Sequence, residues 1–411
     1  MLHDPARHEP LQSLPWDADQ ARATIDLVVR DTERHFESSG WWPLHARDVE
    51  GDDKAGEPNY SLYFGAAGVV WAMDYLHAVG AAPRRFAFGV EPLQQVLEHN
   101  RAWLATGGGQ DETASYLMGD TPVLMMMQGR EPTAERADRL AALIERNIEH
   151  PAREILWGAP GTMLAALHLH ERFGADDPRW AALFRRSAQR LWAQRLWSDA
   201  HGCHYWTQDM YGRCSSYIDA VHGFAGTAFV ALRGAHLLPA PERAAWQDMI
   251  VDTVVRTATR EDGRASWRAV LDTPPGQAPR MLMQYCHGAP GFVVNLAGVP
   301  PGTALDALLI EAGEATWHAG PLSKGSNLCH GTGGNGYAFL RLWERTGDAM
   351  WLQRARAFAM HGIAQMHADQ AAHGQLRYSL WTGDPGFAIY LWDCLRGKAA
   401  FPTLDVFYPA A

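Results

Sequence analysis

Cysteine and histidine stand side by side at two places in the chain, Cys286-His287-Gly288 and Cys329-His330-Gly331. Each triplet opens a glycine-rich turn that runs into an apolar stretch. A thiolate and an imidazole are preferred ligands of zinc. The first turn reads C-H-G-A-P-G and the second, 43 positions later, C-H-G-T-G-G. Facing one another across a cavity, the two turns would supply two sulfurs and one nitrogen. A fourth tetrahedral position would stay open, the mark of a catalytic rather than a structural zinc ion. The residues alone do not decide between His287 and His330 as the nitrogen ligand. Taken singly, a cysteine is most often a small buried hydrophobe, but the repeated His-Gly that follows favours a metal.

Both triplets belong to a longer series. The G-x-x-G turn recurs at Gly65-Ala-Ala-Gly68, Gly158-Ala-Pro-Gly161, Gly223-Phe-Ala-Gly226, Gly288-Ala-Pro-Gly291, Gly331-Thr-Gly-Gly334 and Gly383-Asp-Pro-Gly386, with a degenerate seventh copy at Gly119-Asp-Thr-Pro122. Recurrence at this interval signals a repeat architecture. After the turns come segments apolar almost all round, such as VVWAMDYL after Gly68, TAFVALRGAHLL after Gly226 and FAIYLWDCL after Gly386. A helix without a polar face is buried on all sides. Before the turns come segments with a genuine polar face: 21–36, 91–104, 134–148, 180–192, 243–258, 305–317 and 351–363. Seven such pairs bury every apolar face if they close into a ring, with apolar helices inside and amphipathic helices outside. The expected fold is therefore all-α, an α/α toroid of seven inner and seven outer helices. The turns would then collect at the N-terminal ends of the inner helices, whose unpaired N–H groups leave a positive end. Cys203–Gln208 and Ala265–Leu271 read as brief β-hairpins, and Asp272–Gly276 as a surface loop.

Composition narrows the function classes. Hydrophobic residues make up 47% and charged ones 20%, which fits a globular protein with a large core. Net charge is −10 with no basic cluster, against nucleic acid or anionic membrane as a main partner. No apolar run is long enough to span a bilayer, and the N-terminus lacks the pattern of a signal peptide. Five cysteines form an odd set without disulfide-like spacing, as in a reducing, cytoplasmic compartment.

With its glycine turns, C-H-G-A-P-G and C-H-G-T-G-G-N-G-Y-A-F, the chain resembles the lanthionine synthetase C-like family over roughly residues 20–395. The resemblance implies a toroid domain over 19–396, with 1–18 as an N-terminal extension and 397–411 as a C-terminal tail. It implies zinc on Cys286, Cys329 and His330. It assigns functional weight to His222, immediately before a turn glycine, and to Glu154, four residues before Gly158. Lys324 resembles a lysine of the glutathione-binding members. The sequence departs from the family where Leu282, rather than Arg280, stands four residues before Cys286, and where Tyr285 replaces a usual tryptophan.

The activity implied is conjugate addition of a zinc-activated thiol to dehydroalanine or dehydrobutyrine. His222 would be poised near neutrality to protonate the intermediate, with Lys324, Arg280 and His287 on the substrate side. The electrophile is a dehydroamino-acid-containing peptide or protein. The nucleophile is glutathione or another small thiol, or the cysteine of a dedicated lanthipeptide precursor. From other classes, a carbohydrate-active α/α barrel would need paired carboxylates in the turns, where this chain has Cys, His and Gly. A non-catalytic zinc- or glutathione-binding protein would hold the metal without turnover.

Overall fold

Aspartates start the longest helices and glycines stop them. Asp17 accepts hydrogen bonds from the N–H groups of Asp19 and Gln20, and Asp348 from that of Met350, the usual first-turn cap. Gly347, Gly374 and Gly397 end helices in the left-handed conformation that glycine adopts without penalty. The computed structural model describes residues 1–409 apart from 50, 52, 84, 85, 107–109, 274, 275 and 277–279. Among them, the helices in chain order are α1 (Ala18–Ser39), α2 (Ala66–Ala78), α3 (Val90–Thr106), α4 (Thr121–Arg130), α5 (Ala134–Asn147), α6 (Ala159–Phe173) and α7 (Arg179–Gln194). There follow α8 (Phe224–Arg233), α9 (Ala240–Thr257), α10 (Ala289–Leu296), α11 (Leu305–Ala319), α12 (Thr332–Thr346), α13 (Ala349–His373) and α14 (Asp384–Arg396).

Every even-numbered helix follows a glycine turn and is buried on nearly all sides; in α10 all of Ala289–Leu296 is buried. The odd-numbered helices carry the polar faces. The alternation read from the sequence is thus the alternation in the structure. The helices begin earlier than expected, since in the six full G-x-x-G turns the first glycine is the N-cap and the second lies inside the first helical turn; the N-cap of α4 is instead Asp120. The stretch TAFVALRGAHLL is not one helix: α8 stops at Arg233, and Ala235–Leu237 is a separate 3₁₀ turn.

The chain forms two units. One comprises Met1–His8, Ala114–Tyr116 and Asp138–Gly320. In it α6, α8 and α10 pack in succession, with α7 against α6, α9 against α8 and α11 against α10. Its long connections carry three antiparallel hairpins, β1 (Leu196–Ser198) with β2 (Cys203–Tyr205), β3 (Gln208–Met210) with β4 (Arg213–Ser215), and β5 (Thr259–Glu261) with β6 (Arg264–Ser266). Cys203–Gln208 therefore spans β2 and the start of β3. Of Ala265–Leu271 only the first two residues are in a strand, with one further bridge from Val270 to Tyr217. The loop expected at 272–276 lies partly outside the described residues. The other unit comprises Glu9–Thr113, Leu117–Ala137 and Pro321–Ala411, where α14 packs on both α2 and α12, and α13 backs α12.

One device recurs at the turns. In α8 the N–H groups of Phe224, Ala225 and Gly226 donate to the carbonyls of Tyr217, Ile218 and Asp219, at 3.1–3.2 Å. In α12 those of Thr332, Gly333 and Gly334 donate to Gly325, Ser326 and Asn327, at 2.9–3.2 Å. The partner is each time seven residues back. At these two helices the expectation of unpaired, positive ends is corrected accordingly: the loop in front folds over the helix start and satisfies it. The same fold-over explains the glycines. A Cβ on Gly161, Gly226 or Gly386 would strike the carbonyl oxygen of Ile155, Ala220 or Leu380, each six residues earlier.

Candidate functional site

The residue four positions before the first turn glycine is polar in all seven copies: Ser61, Ser115, Glu154, Asp219, Gln284, Asn327 and Ser379. Its usual task is local. Asn327 Oδ1 accepts from the His330 N–H at 3.0 Å, Asp219 Oδ1 from the His222 N–H at 2.8 Å, and Glu154 Oε1 from the Trp157 N–H at 2.5 Å. Each bond fixes the residue just before the turn glycine, which is where His222 and His330 stand.

Two of these side chains have a second task. Glu154, fully buried, turns its other oxygen to His222 Nδ1 at 3.1 Å, while that oxygen also accepts the Leu156 N–H at 2.9 Å. Asp219, also fully buried, places Oδ2 2.6 Å from His287 Nδ1. A buried carboxylate on one ring nitrogen leaves the other nitrogen as the proton carrier. Burial pulls His222 toward the neutral form. The hydrogen bond and charge of Glu154, the charge of Asp219 and the Cys286 sulfur outweigh it, and His222 is pushed up to about 9. The direction is upward from the near-neutral value the sequence suggested. His287 is raised by Asp219 and Cys286, against burial and the His222 charge.

The thiol of Cys286, the thiol of Cys329 and an imidazole nitrogen of His330 lie within 4.8 Å of one another, and among the described residues this is the group of three able to hold a metal ion. Ligand atoms of one tetrahedral zinc stand roughly 3.3–3.8 Å apart, from metal–ligand bonds of roughly 2.0–2.3 Å. Both sulfurs already act as acceptors, Cys286 from Gln284 Nε2 at 2.9 Å and Cys329 from Tyr63 Oη at 2.7 Å. That is the polarity a thiolate ligand needs, and the donor set fits zinc. The cluster contains His330 and not His287, whose Nδ1 is on Asp219. Cys203 and Cys394 are buried elsewhere with their thiols pushed up by burial, and Cys214 is exposed.

Arg280 and Lys324 are both exposed. The Arg280 charge is felt by Tyr217. Among the described residues the Lys324 ammonium has no ion-pair partner, and the Lys324 carbonyl accepts from Asn327 Nδ2 at 3.3 Å. Sequence reasoning missed Asp219, Gln284 and Tyr63. Asp219 and Gln284 carried a signal, since they occupy the repeat position of Glu154. Tyr63 occupies the repeat position of Cys286 and Cys329, two before its turn glycine, but its partner lies 266 residues away.

The family described as "Lanthionine synthetase C-like protein" matches residues 126–406. The chain belongs to the lanthionine synthetase C-like family. It is 25% identical over 371 residues to "Glutathione S-transferase LANCL1" of Danio rerio, covering 84% of each chain. It is 36% identical over 137 residues to "LanC-like protein GCL1" of Arabidopsis thaliana, covering 30% of each. Among solved structures it resembles nisin cyclase, with a TM-score of 0.57 and 12% identity over 91% of this chain and 94% of that one. The fold is thus the all-α, α/α toroid of the family. Among the described residues no helix is long and apolar enough to cross a membrane.

Proposed function

We propose that this lanthionine synthetase C-like protein is a zinc-dependent, thioether-forming enzyme of the cytoplasm. It adds glutathione or a similar small thiol to dehydroalanine or dehydrobutyrine in a peptide or protein. The observation that carries the reading is the Cys286, Cys329 and His330 donor set, with His222 in electrostatic reach of Cys286. Bound zinc supplies what a free thiol of pKa about 8.5 lacks near neutrality, a stabilised thiolate. The chain's own residues do the rest. Thiolate attack on the β-carbon forms the carbon–sulfur bond and sends the double-bond electrons toward the carbonyl oxygen. The α-carbon then needs a proton, and His222 holds one. Because Glu154 engages Nδ1, the proton delivered is the one on Nε2. The proton of the next thiol restores it.

The choice of glutathione rests on the relative bearing that name, on C-H-G at the first turn and on Lys324. With the start of α12 closed by its own loop, the Lys324 ammonium, which has no ion-pair partner among the described residues, is a cation available there to meet a glutathione carboxylate, whereas the nearby Arg47 is paired with Asp369. The test pairs elemental analysis with mass spectrometry of a dehydroalanine peptide incubated with glutathione. Stoichiometric zinc and a glutathione adduct are expected. No adduct at millimolar glutathione, with a tethered cysteine still cyclised, would move the reading to a lanthipeptide cyclase. Zinc without either reaction would leave a binding protein.

A further inference from the structure

Three rings meet at the turn before α8 in a near-equilateral arrangement. Tyr217 and His222 have centroids 5.8 Å apart, Tyr217 and His287 6.1 Å, and His222 and His287 6.1 Å. The two imidazoles are each anchored through Nδ1 by a buried carboxylate. Tyr217 is anchored differently, by its backbone: its N–H donates to Gln208 Oε1 at 2.6 Å, and its carbonyl accepts the Phe224 N–H at 3.2 Å. Among the described residues its hydroxyl has no hydrogen-bond partner, although the ring is only partly exposed. A tyrosine this well placed usually finds a partner for its O–H when it is withdrawn from water. Around the ring stand the two histidines, the Arg213 and Arg280 charges and the Asp219 carboxylate. The acceptor among these neighbours, Asp219, is already engaged by the Val221 and His222 N–H groups and by His287 Nδ1.

We propose that Tyr217 is a catalytic residue whose hydroxyl donates a hydrogen bond to the carbonyl oxygen of the dehydroamino acid. This rests on the functional reading above and adds to it the group that meets the developing charge. As the sulfur bonds to the β-carbon, the π electrons move onto that oxygen, giving an enolate that accepts the Tyr217 O–H. When His222 delivers its Nε2 proton to the α-carbon, the electrons return, the C=O bond re-forms and the Tyr217 hydroxyl is released with its own proton. The phenol suits that task because it keeps its proton: burial and the Asp219 charge raise it above the ordinary tyrosine value, against Arg213 and Arg280. A fixed donor aimed at developing oxyanion charge is usually among the larger catalytic terms.

Tyr217→Phe removes the donor and keeps the ring. Its expected kcat for thiol addition to a dehydroalanine peptide is roughly 10²-fold lower, with KM within a few-fold and zinc content and melting temperature unchanged. Replacing Tyr217 by a tyrosine fluorinated enough that its phenol loses its proton below the value of about 9 held by His222 should move the alkaline limb of the pH–rate profile to lower pH. A structural role would not move it. A second arm needs no turnover: the peptide carrying a ¹³C-labelled dehydroalanine carbonyl is bound without thiol and its C=O stretch recorded. A shift to lower frequency on wild type that is lost on Tyr217→Phe supports the role. An identical stretch on both proteins, or an unchanged kcat, overturns it. If wild type adds no thiol at all, the functional reading fails on the first arm while the carbonyl stretch still decides for or against Tyr217.

Discussion

The two Cys-His-Gly triplets share three letters and little else. At Gly331 the backbone is extended, with φ −121° and ψ −175°; at Gly288 it takes φ +111° and ψ −168°, a region effectively closed to other residues. The start of α12 is closed by carbonyls seven residues back, whereas the first N–H of α10 donates to the Ser266 hydroxyl of β6 at 3.3 Å. Asn327 fixes His330 through its side chain. Gln284 and His287 instead exchange two backbone hydrogen bonds of 3.1 Å, and the Gln284 amide turns to the Cys286 sulfur. The histidines part accordingly, His330 joining the sulfur cluster and His287 resting on Asp219. A repeated motif in a repeat protein fixes where a side chain starts, while the atoms behind it fix what the side chain does.

The strongest way to break this comparison is through the sulfurs. Cys329→Ala and Cys286→Ala should each abolish zinc retention and thiol addition, while Cys203→Ala, Cys214→Ala and Cys394→Ala keep both. Full zinc in Cys329→Ala by elemental analysis would sink the assignment. The fold should outlast the metal, as a core this large does not depend on it in the way small zinc domains do.

Next come the histidines. His222→Asn should keep zinc and lose roughly 10²-fold or more in kcat, the scale of a missing general acid. His330→Asn, by contrast, should lose zinc. Equal zinc loss in the two would erase the division of labour between proton transfer and ligation.

The glycines sharpen the backbone difference. Both Gly288→Ala and Gly331→Ala push a Cβ against a carbonyl oxygen, of Leu282 and Gly325 respectively. Only the first also strains φ, so it should cost about 1–3 kcal/mol more in denaturant unfolding. Equal losses would show that crowding alone decides.

A smaller effect is expected from pH. His222 has a folded value of about 9 against 6.5 for the free group, so the native state binds the extra proton between those values. The stability it contributes is full below about 6.5 and is lost as pH rises through about 9. Glu154→Gln should flatten that slope in denaturation midpoints taken from pH 7 to 10, and move the alkaline limb of thiol addition to lower pH. The smallest effect falls on Lys324→Ala. From an exposed ammonium, glutathione binding should weaken by about 1 kcal/mol or less, read by calorimetry.

The helices were legible in the sequence because their signal is local and repeated: a glycine pair, then an apolar run. The hairpins were less so, since strands of three residues leave almost no alternation to read. The two Cys-His pairs were visible for the same reason as the helices, being adjacent letters, while the choice of His330 over His287 came from the family resemblance. The carboxylates behind the histidines were not visible. Glu154 and His222 are 68 residues apart, as are Asp219 and His287, and only folding pairs them. Even so, the polar residue four places before each turn glycine was in plain sight. It would have pointed to Asp219 once Glu154 had been singled out.

Because backbone atoms seal the start of α8 and of α12, and Asp219 and Asn327 hold the loop in front, the residue just before each turn glycine is largely released from holding the scaffold together. Such a turn is a socket: its frame is set by glycines and carbonyls, and its contents can drift. Lineages could swap a ligand, a proton donor or an inert residue into one turn without retuning its neighbours. An engineer could do the same, using the turns at Gly119 and Gly383, which here carry no cysteine, as mounts for new chemistry on an old frame.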